Sequence, residues 1–467
     1  MGKKIKTSLF LAFIGVVMTT LNAFSEMRIY NADSTMCLSP EGYGHFYFGQ
    51  IVRGRAPKTN TQVNELWTQD MRSELRLKFL YKDFLEISTG VSVKLFFSYP
   101  IAHDKPETKF AYPQADMGLT YAKLQSSMDK PVNLGLQIGY FPFKYNPDAK
   151  NLGETMFRSG TYPAALLESF DYAQTKLLGA KVNLGFFENS LKCDVLMTSE
   201  AAVYPLMDWS LTGILSYDIA NRGVFQLGLG YNKSHLISVY TDDYSTNDGN
   251  PTDPGQAVAN KSIREQYKYY IIDTLNDGTY DTVSGFYTYR GDKAMARFSF
   301  DPKEVFTGMK QFMTKDELKI YCEATIIGTK SYPDNEKNVI SYENWKEKMP
   351  VAFGINLPSF GIVDMFNLEF EWFGSKYPNS WVEPYGTSQS RPFPSGGKIM
   401  AASSKESYWK WSTYIKKSFA DEHLGFVLQL ARDHSTLGNA NYNLSYQKEI
   451  LQNDGDWWWA FKTYFAF

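Results

Sequence analysis

From about residue 44 to the end of the chain, apolar and polar positions alternate one by one. In RSELRLKFLY (Arg72 to Tyr81), Leu75, Leu77, Phe79 and Tyr81 share one side, while Glu74, Arg76 and Lys78 share the other. LEISTGVSVKLFF repeats the pattern after a short break at Lys82 and Asp83. NLGLQIGYF (133–141), LGAKVNLGFF (178–187), FQLGLGY (225–231), ELKIYCEATI (317–326), FNLEFEWF (366–373) and FVLQLAR (426–432) follow the same rule. A period of two predicts β-strands with two unlike faces. One face is Leu, Val, Ile, Phe and Tyr throughout; the other mixes Gly, Ser, Asn and Gln with full charges. A soluble β-sandwich would explain the polar face as its outer surface. Strands of about ten residues are also long enough to cross a bilayer at a tilt of ~45°.

The breaks between strands alternate in length. Tight ones fall at Lys82–Asp83, Glu188–Ser190, Asn221–Arg222, Phe360–Asp364 and Ala420–Glu422, and long ones at 54–70, 98–115, 144–175, 233–282, 375–406 and 433–455. A transmembrane barrel has short turns at one end and long loops at the other, with an even number of strands. A plain count gives about 17 strands. Reading YTYRGDKAMARFSF as one strand restores the parity at about 16, within 14–18. DPKEVFTGMKQFMTKDE (301–317) then becomes a connection at the short-turn end, with a helical turn. The chain closes on WWWAFKTYFAF, where Trp457, Trp459, Phe461, Thr463, Phe465 and Phe467 fall on one face and Lys462 on the other.

The amino terminus adds a compartment. Lys3, Lys4 and Lys6 precede the apolar run from Leu9 to Leu21, and Ala23 and Ser25 follow at the spacing a signal peptidase reads. Cleavage before Glu26 is expected, which divides the chain into a signal peptide (1–25), a short periplasmic leader (26–43) and a barrel (44–467). Composition narrows the class. The formal net charge is -2 and the pI about 6.3, which gives no basic surface for nucleic acid. Mean hydropathy is -0.35, yet the chain holds 33 Phe, 32 Tyr, 10 Trp and 34 Gly. Strands that bury one face each produce that combination, and helical spans of about 20 apolar residues do not. Cys37, Cys193 and Cys322 are an odd count, too sparse for a disulfide framework.

The last strand resembles that of Gram-negative outer-membrane porins, which end on an aromatic residue read by the outer-membrane assembly machinery. Phe467 and Phe465 match the terminal and next-but-one aromatic positions; Lys462 and Thr463 depart from the glycine and the hydrophobe usual there. The resemblance implies an all-β, transmembrane, antiparallel up-and-down barrel in the cell outer membrane, surrounded by lipid and passing small hydrophilic solutes. It implies no cofactor and no catalysis, and it leaves the oligomeric state open, with a homotrimer among the alternatives. In porins the third outer loop commonly folds inward, so in KYNPDAKNLGETMFRSGTYPAALLESFDYAQT (144–175) Glu154, Arg158 and Asp171 are the constriction candidates.

With about 16 strands the lumen is wide enough for water. Arg76, Lys78, Lys94, Lys181, Lys192, Arg297, Lys319 and Lys410 fall on the polar faces, as do Glu74, Glu86, Asp194, Asp218, Glu323, Glu369 and Glu371. A ring of one sign would select ions strongly; this mixture predicts weak selectivity. TDDYSTNDGNPTDPG (241–255) lacks the sixth-position glycine of a calcium loop. No metal-spaced Cys/His cluster and no GxSxG motif accompanies the five histidines, so neither a metal site nor an enzyme is expected. Two other functions fit the same pattern. One is a barrel scaffold whose long Tyr-, Asn- and Asp-rich loops bind a polysaccharide or another surface; the other is a soluble secreted β-sandwich binding module.

Overall fold

The computed structural model describes residues 28–54, 65–96, 112–126, 132–157, 175–199, 209–219, 223–237, 267–274, 280–287, 291–327, 346, 349–372, 409–433, 451 and 453–467. The signal segment therefore lies outside the described residues. The strands are β1 (Ile29–Tyr30), β2 (Met36–Arg53), β3 (Leu66–Tyr81), β4 (Leu85–Phe96), β5 (Tyr112–Met117), β6 (Thr120–Gln125), β7 (Val132–Phe143), β8 (Thr175–Phe186), β9 (Leu191–Ser199) and β10 (Trp209–Ile219). They continue as β11 (Phe225–Ile237), β12 (Tyr267–Thr274), β13 (Tyr280–Tyr287), β14 (Gly291–Phe300), β15 (Ile320–Ile327), β16 (Val351–Asn356), β17 (Met365–Trp372), β18 (Trp409–Phe419), β19 (Leu424–Arg432) and β20 (Trp457–Ala466).

Each strand from β2 onward pairs antiparallel with the next, apart from the separate β12–β13 hairpin, and β20 returns to pair with β2. The sheet is closed. β5 and β6 are one strand interrupted by a bulge, since both pair with β4. The barrel thus has sixteen strands, the even number the alternation predicts. At the bulge Gly118 N donates to Gly90 O at 2.9 Å, and a Cβ on Gly118 would sit 2.8 Å from the Gly90 carbonyl carbon. Only glycine lets the two backbones approach so closely.

Three strand boundaries differ from the sequence reading. β2 starts at Met36 rather than residue 44, because β3 pairs with the whole stretch 36–51. Pro40 and Gly42 look like a turn in sequence. Gly42 N points to Phe467 O, so Pro40, two residues earlier, turns its missing N–H to the same side, beyond the end of β20. That edge position is where a strand tolerates proline. β14 begins at Gly291, and Tyr287 ends the β12–β13 hairpin, so YTYRGDKAMARFSF is shared between two strands. β15 begins at Ile320, which leaves Glu317 and Lys319 in the preceding connection. That connection carries two 3-10 turns, Pro302–Glu304 and Thr307–Gln311, in place of the single expected turn.

The burial pattern is inverted relative to a water-soluble domain. Val91 and Leu229 are each 59% exposed on the outer face, while Glu369 is 1% and Glu371 0% exposed inside. Leu75, Leu134, Ile138, Leu215, Phe353 and Phe461 extend the outer apolar belt. A continuous belt of this kind far exceeds the few hundred Å² that soluble monomers expose. β20 obeys the same rule: Trp458, Ala460, Lys462 and Tyr464 are buried inside and Phe461 is exposed outside. At its end Phe467 and Gly42 exchange two backbone hydrogen bonds, each 2.9 Å, which form the last rung of the closing seam.

Candidate functional site: a lumen divided by the third long connection

Between β7 and β8 lies the third long connection, of which residues 144–157 are described. Its sequence opens on Asn146-Pro147-Asp148, residues suited to a turn. The turn sends the chain into the barrel rather than over its mouth. On the near side it packs by apolar contact. Tyr145 and Met156 join Phe141 and Phe143 of β7, Leu177 of β8, Leu196 of β9, Ile214 of β10 and Met295 of β14 in one buried cluster. Met156 lies over Gly230 of β11, where a Cβ would come within 2.5 Å of its sulfur, so the missing side chain makes the room.

On the far side the connection is held by carboxylates of the wall. Glu369 of β17 accepts from the backbone N–H groups of Lys150 at 2.5 Å, Asn151 at 2.7 Å and Leu152 at 2.9 Å. Its Oε1 also takes the Tyr321 hydroxyl at 2.6 Å. Three successive N–H groups aimed at one anion form a concave nest, here filled by the protein's own side chain. Glu323 of β15 accepts from the Tyr145 hydroxyl at 2.6 Å, Asn146 Nδ2 at 2.9 Å and Thr155 N at 3.3 Å. Glu371 takes Gly153 N at 3.5 Å. Asn151 Nδ2 reaches Asp433, after β19, at 2.8 Å, and Asp433 in turn receives the Trp458 indole N–H at 3.0 Å. Lys293 Nζ donates to the carbonyls of Thr155 and Met156, each at 3.0 Å.

These contacts run from β14 round to β20, so the connection divides the lumen. Each buried carboxylate is matched by donors, which is the condition for keeping a charge out of bulk water. A network satisfied in this way holds a backbone segment rigidly.

The predicted lumen and constriction residues fall into three groups. Glu369 and Glu371 face the lumen but are sealed under the connection. Glu154 is also sealed: its carboxylate turns back to accept from Asn146 N at 3.0 Å, so it ties the connection to itself. Arg297 is buried on the same side, with Nη2 donating to Ser216 Oγ at 3.0 Å, and Lys319 reaches Asp148 of the connection at 3.6 Å. The second group lines the open side. Arg76 and Lys78 on β3 face Glu41 at 3.7 Å and 3.0 Å, and Arg72 joins them through Glu74 at 3.3 Å. Lys181 faces inward with its Nζ 5.9 Å from the Phe141 ring and 5.3 Å from the Phe143 ring. The third group lies beyond description: Arg158, Asp171 and the loop 241–255 lie outside the described residues, and Lys94 is described by backbone alone, in register with Arg72. Phe465 and Phe467 stand at the seam, against Gly44 and Gly42.

Sequence reasoning missed Tyr145, Asn146, Asn151 and Asp433. The Asn-Pro-Asp turn was the one available signal; the bonds that tie Tyr145, Asn146 and Asn151 to Glu323 and Asp433 join residues at least 177 positions apart. At the short-turn end a second sealed carboxylate braces two connections. Glu317 Oε1 accepts from Ser359 N at 2.7 Å and from the Ser359 hydroxyl, and Oε2 accepts from Thr314 N at 2.8 Å. Burial pushes its carboxyl up, but the Ser359 hydroxyl and the N–H groups of Thr314, Ser359 and Gly361 outweigh that and hold it below the usual range.

No family model matches the chain, and no curated protein matches it in sequence. Among solved structures it is similar to a triple mutant of Rh. blastica porin, at 8% identity over 92% of this chain and 100% of that one, with a TM-score of 0.41. It is likewise similar to Salmonella typhi OmpF in complex with daunomycin, at 9% identity over 94% and 100% of the two chains, with a TM-score of 0.46. Likeness at that level assigns no residue a role. By its own strand order and closure, the chain is an antiparallel sixteen-stranded barrel of porin-like architecture.

Proposed function

We propose that the protein is an outer-membrane porin, a passive channel for small hydrophilic solutes whose third long connection forms the constriction. The observation that carries this reading is the inverted barrel: apolar side chains outside, charged side chains inside, and no sheet edge between β20 and β2. Lipid is the cover such a belt requires, and a closed barrel leaves no unpaired backbone in it. A lumen of this strand number holds water, and the connection narrows it without side-chain chemistry. Wall charges of both signs keep the selectivity weak. On this reading residues 1–25 direct export, residues 26–35 lead into the barrel in the periplasm, and the assembly machinery of the outer membrane reads Phe465 and Phe467. The short turns then face the periplasm, and the long connections face outward. The remaining alternatives, a surface-binding scaffold and a soluble binding module, predict no conductance.

The test is a planar-bilayer recording of the refolded protein, paired with liposome swelling in neutral sugars of increasing size. Discrete conductance steps and a size cut-off are expected. Stable insertion with neither steps nor swelling would overturn the channel reading.

A further inference from the structure

We propose that the β14–β15 connection and the β16–β17 turn form a foot that lies in the headgroup–acyl boundary of the lipid at the short-turn end of the barrel. The inference rests on the membrane placement in the channel reading and is independent of conduction. Six large apolar side chains on these two segments are left open: Val305, Phe306, Met309, Phe312, Phe360 and Ile362. Phe312 is 69% and Ile362 78% exposed, more than Val91 or Leu229 of the outer belt itself. The two segments are nevertheless fixed, to each other and to the wall, through their polar groups. Glu317 accepts from the N–H and the hydroxyl of Ser359, Thr314 Oγ1 donates to Asp364 O at 3.1 Å, and Leu318 N donates to Asn356 O at 3.0 Å. Lys303, 3% exposed, ties Asp301 to the carbonyl of Glu317. These polar groups are turned under, and the six apolar side chains stay outside.

Lipid is the occupant that the surroundings favour over a soluble partner. Phe300, the last residue of β14, faces outward and stacks on Phe225 at 4.7 Å, so the outer belt reaches the start of the connection. On β17 Phe370, Leu368 and Phe366 alternate with the inward Glu371, Glu369 and Asn367, and they carry the belt to the β16–β17 turn. The open side chains therefore continue a surface that lipid already covers. The backbone suits the same medium. Pro302 O accepts from the N–H groups of Val305 and Phe306, Phe306 O from Met309, and Met309 O from Phe312. These residues can enter the acyl boundary without carrying an unpaired donor into it. Glu304 and Lys310 pair at 2.7 Å on the exposed side, and Lys315 adds another exposed cation. A segment with such a polar side and an apolar one lies about 5–10 Å into the headgroup–acyl boundary.

The test reads depth in the bilayer. The full chain, with Cys37, Cys193 and Cys322 replaced by alanine, is reconstituted in phosphatidylcholine vesicles with a nitroxide on one introduced cysteine. Phe312→Cys and Ile362→Cys report on the foot, Leu229→Cys on the belt, and Asp83→Cys on the exposed β3–β4 turn. Collision rates with oxygen, which concentrates in lipid, and with a water-soluble nickel chelate are compared. The oxygen-to-nickel ratio at positions 312 and 362 is expected to be several-fold above that at 83 and to approach that at 229. Ratios at 312 and 362 equal to that at 83, with a lipid-like ratio at 229, put the foot in water, as a soluble partner would need; they overturn the inference and leave the membrane placement standing. A water-like ratio at 229 overturns both. The native chain gives a second reading without any substitution. A phosphatidylcholine with a photoactivated carbene precursor at the top of its acyl chain should label peptides covering 305–312 and 360–362, and labelling confined to the belt strands overturns the inference.

Discussion

A carboxylate inside a barrel wall is destabilising unless its oxygens are matched, and Glu369 matches both of its own with three backbone N–H groups and a tyrosine hydroxyl. The converse also holds, because removing the acceptor leaves the amides of Lys150, Asn151 and Leu152 buried and unfilled. Each such orphan costs about 1–3 kcal/mol. Glu369→Ala is therefore expected to weaken docking of the connection by about 2–4 kcal/mol, with the barrel itself intact. Hydrogen exchange at those three amides, read beside single-channel records, checks this: faster exchange and a larger, noisier conductance are expected. Unchanged protection would mean that the apolar cluster around Met156 holds the connection alone. That Glu369 faces the lumen was legible from alternation in FNLEFEWF. That it serves the connection was not, because its partners lie 217–219 residues away in the chain.

At the scale of elements, alternation and strand coincide along most of the barrel, and they part where a long-range pairing or contact overrides the local signal. Met36–Gly42 carries Ser, Pro, Glu and Gly, yet β3 makes it strand. Residues 317–319 carry a strand-like pattern, yet Glu317 is drawn into a brace between the connection and the β16–β17 turn. That brace has a pH dependence. The Glu317 carboxyl sits below its ordinary value in the folded chain, so its stabilisation is present above the unfolded value of 4.5 and is lost as pH falls through the lower folded one. Glu317→Gln is expected to lower the unfolding midpoint near neutral pH, with the difference from the native chain shrinking in acid. Parallel curves at every pH would show that the brace works through shape rather than charge.

The whole molecule depends on one closing seam. β20 pairs with β19 on one side and β2 on the other, so every barrel strand has two neighbours. Opening such a sheet exposes a long row of paired backbone groups at once, which makes it cooperative and slow. The native chain in detergent is expected to run as a compact band on a gel when unheated and as an extended one after boiling. A single mobility in both samples would argue against a closed barrel in solution.

Alternation by itself determined that this chain is β throughout, that its polar face carries charge, and that its connections alternate in length. These are local properties, because side-chain direction in a strand follows from its period of two. Parity asked for an even strand number near sixteen, although the single strand used to restore it, YTYRGDKAMARFSF, is divided between β13 and β14. The count is even because β12 and β13 pair apart from the barrel. The resemblance pointed to the third long connection, but the tertiary structure alone decided the path it takes inside the barrel and which carboxylates it covers. The WWWAFKTYFAF strand shows the division. Its outer aromatics and inner Lys462 follow from position. The β19–β20 register sets Trp458 beside Asp433, and only the inward turn of the connection brings Asn151 to that carboxylate. The Asn151–Asp433 contact joins residues 282 positions apart, and whether it forms depends on strand register and on the path of the connection, which no local pattern encodes.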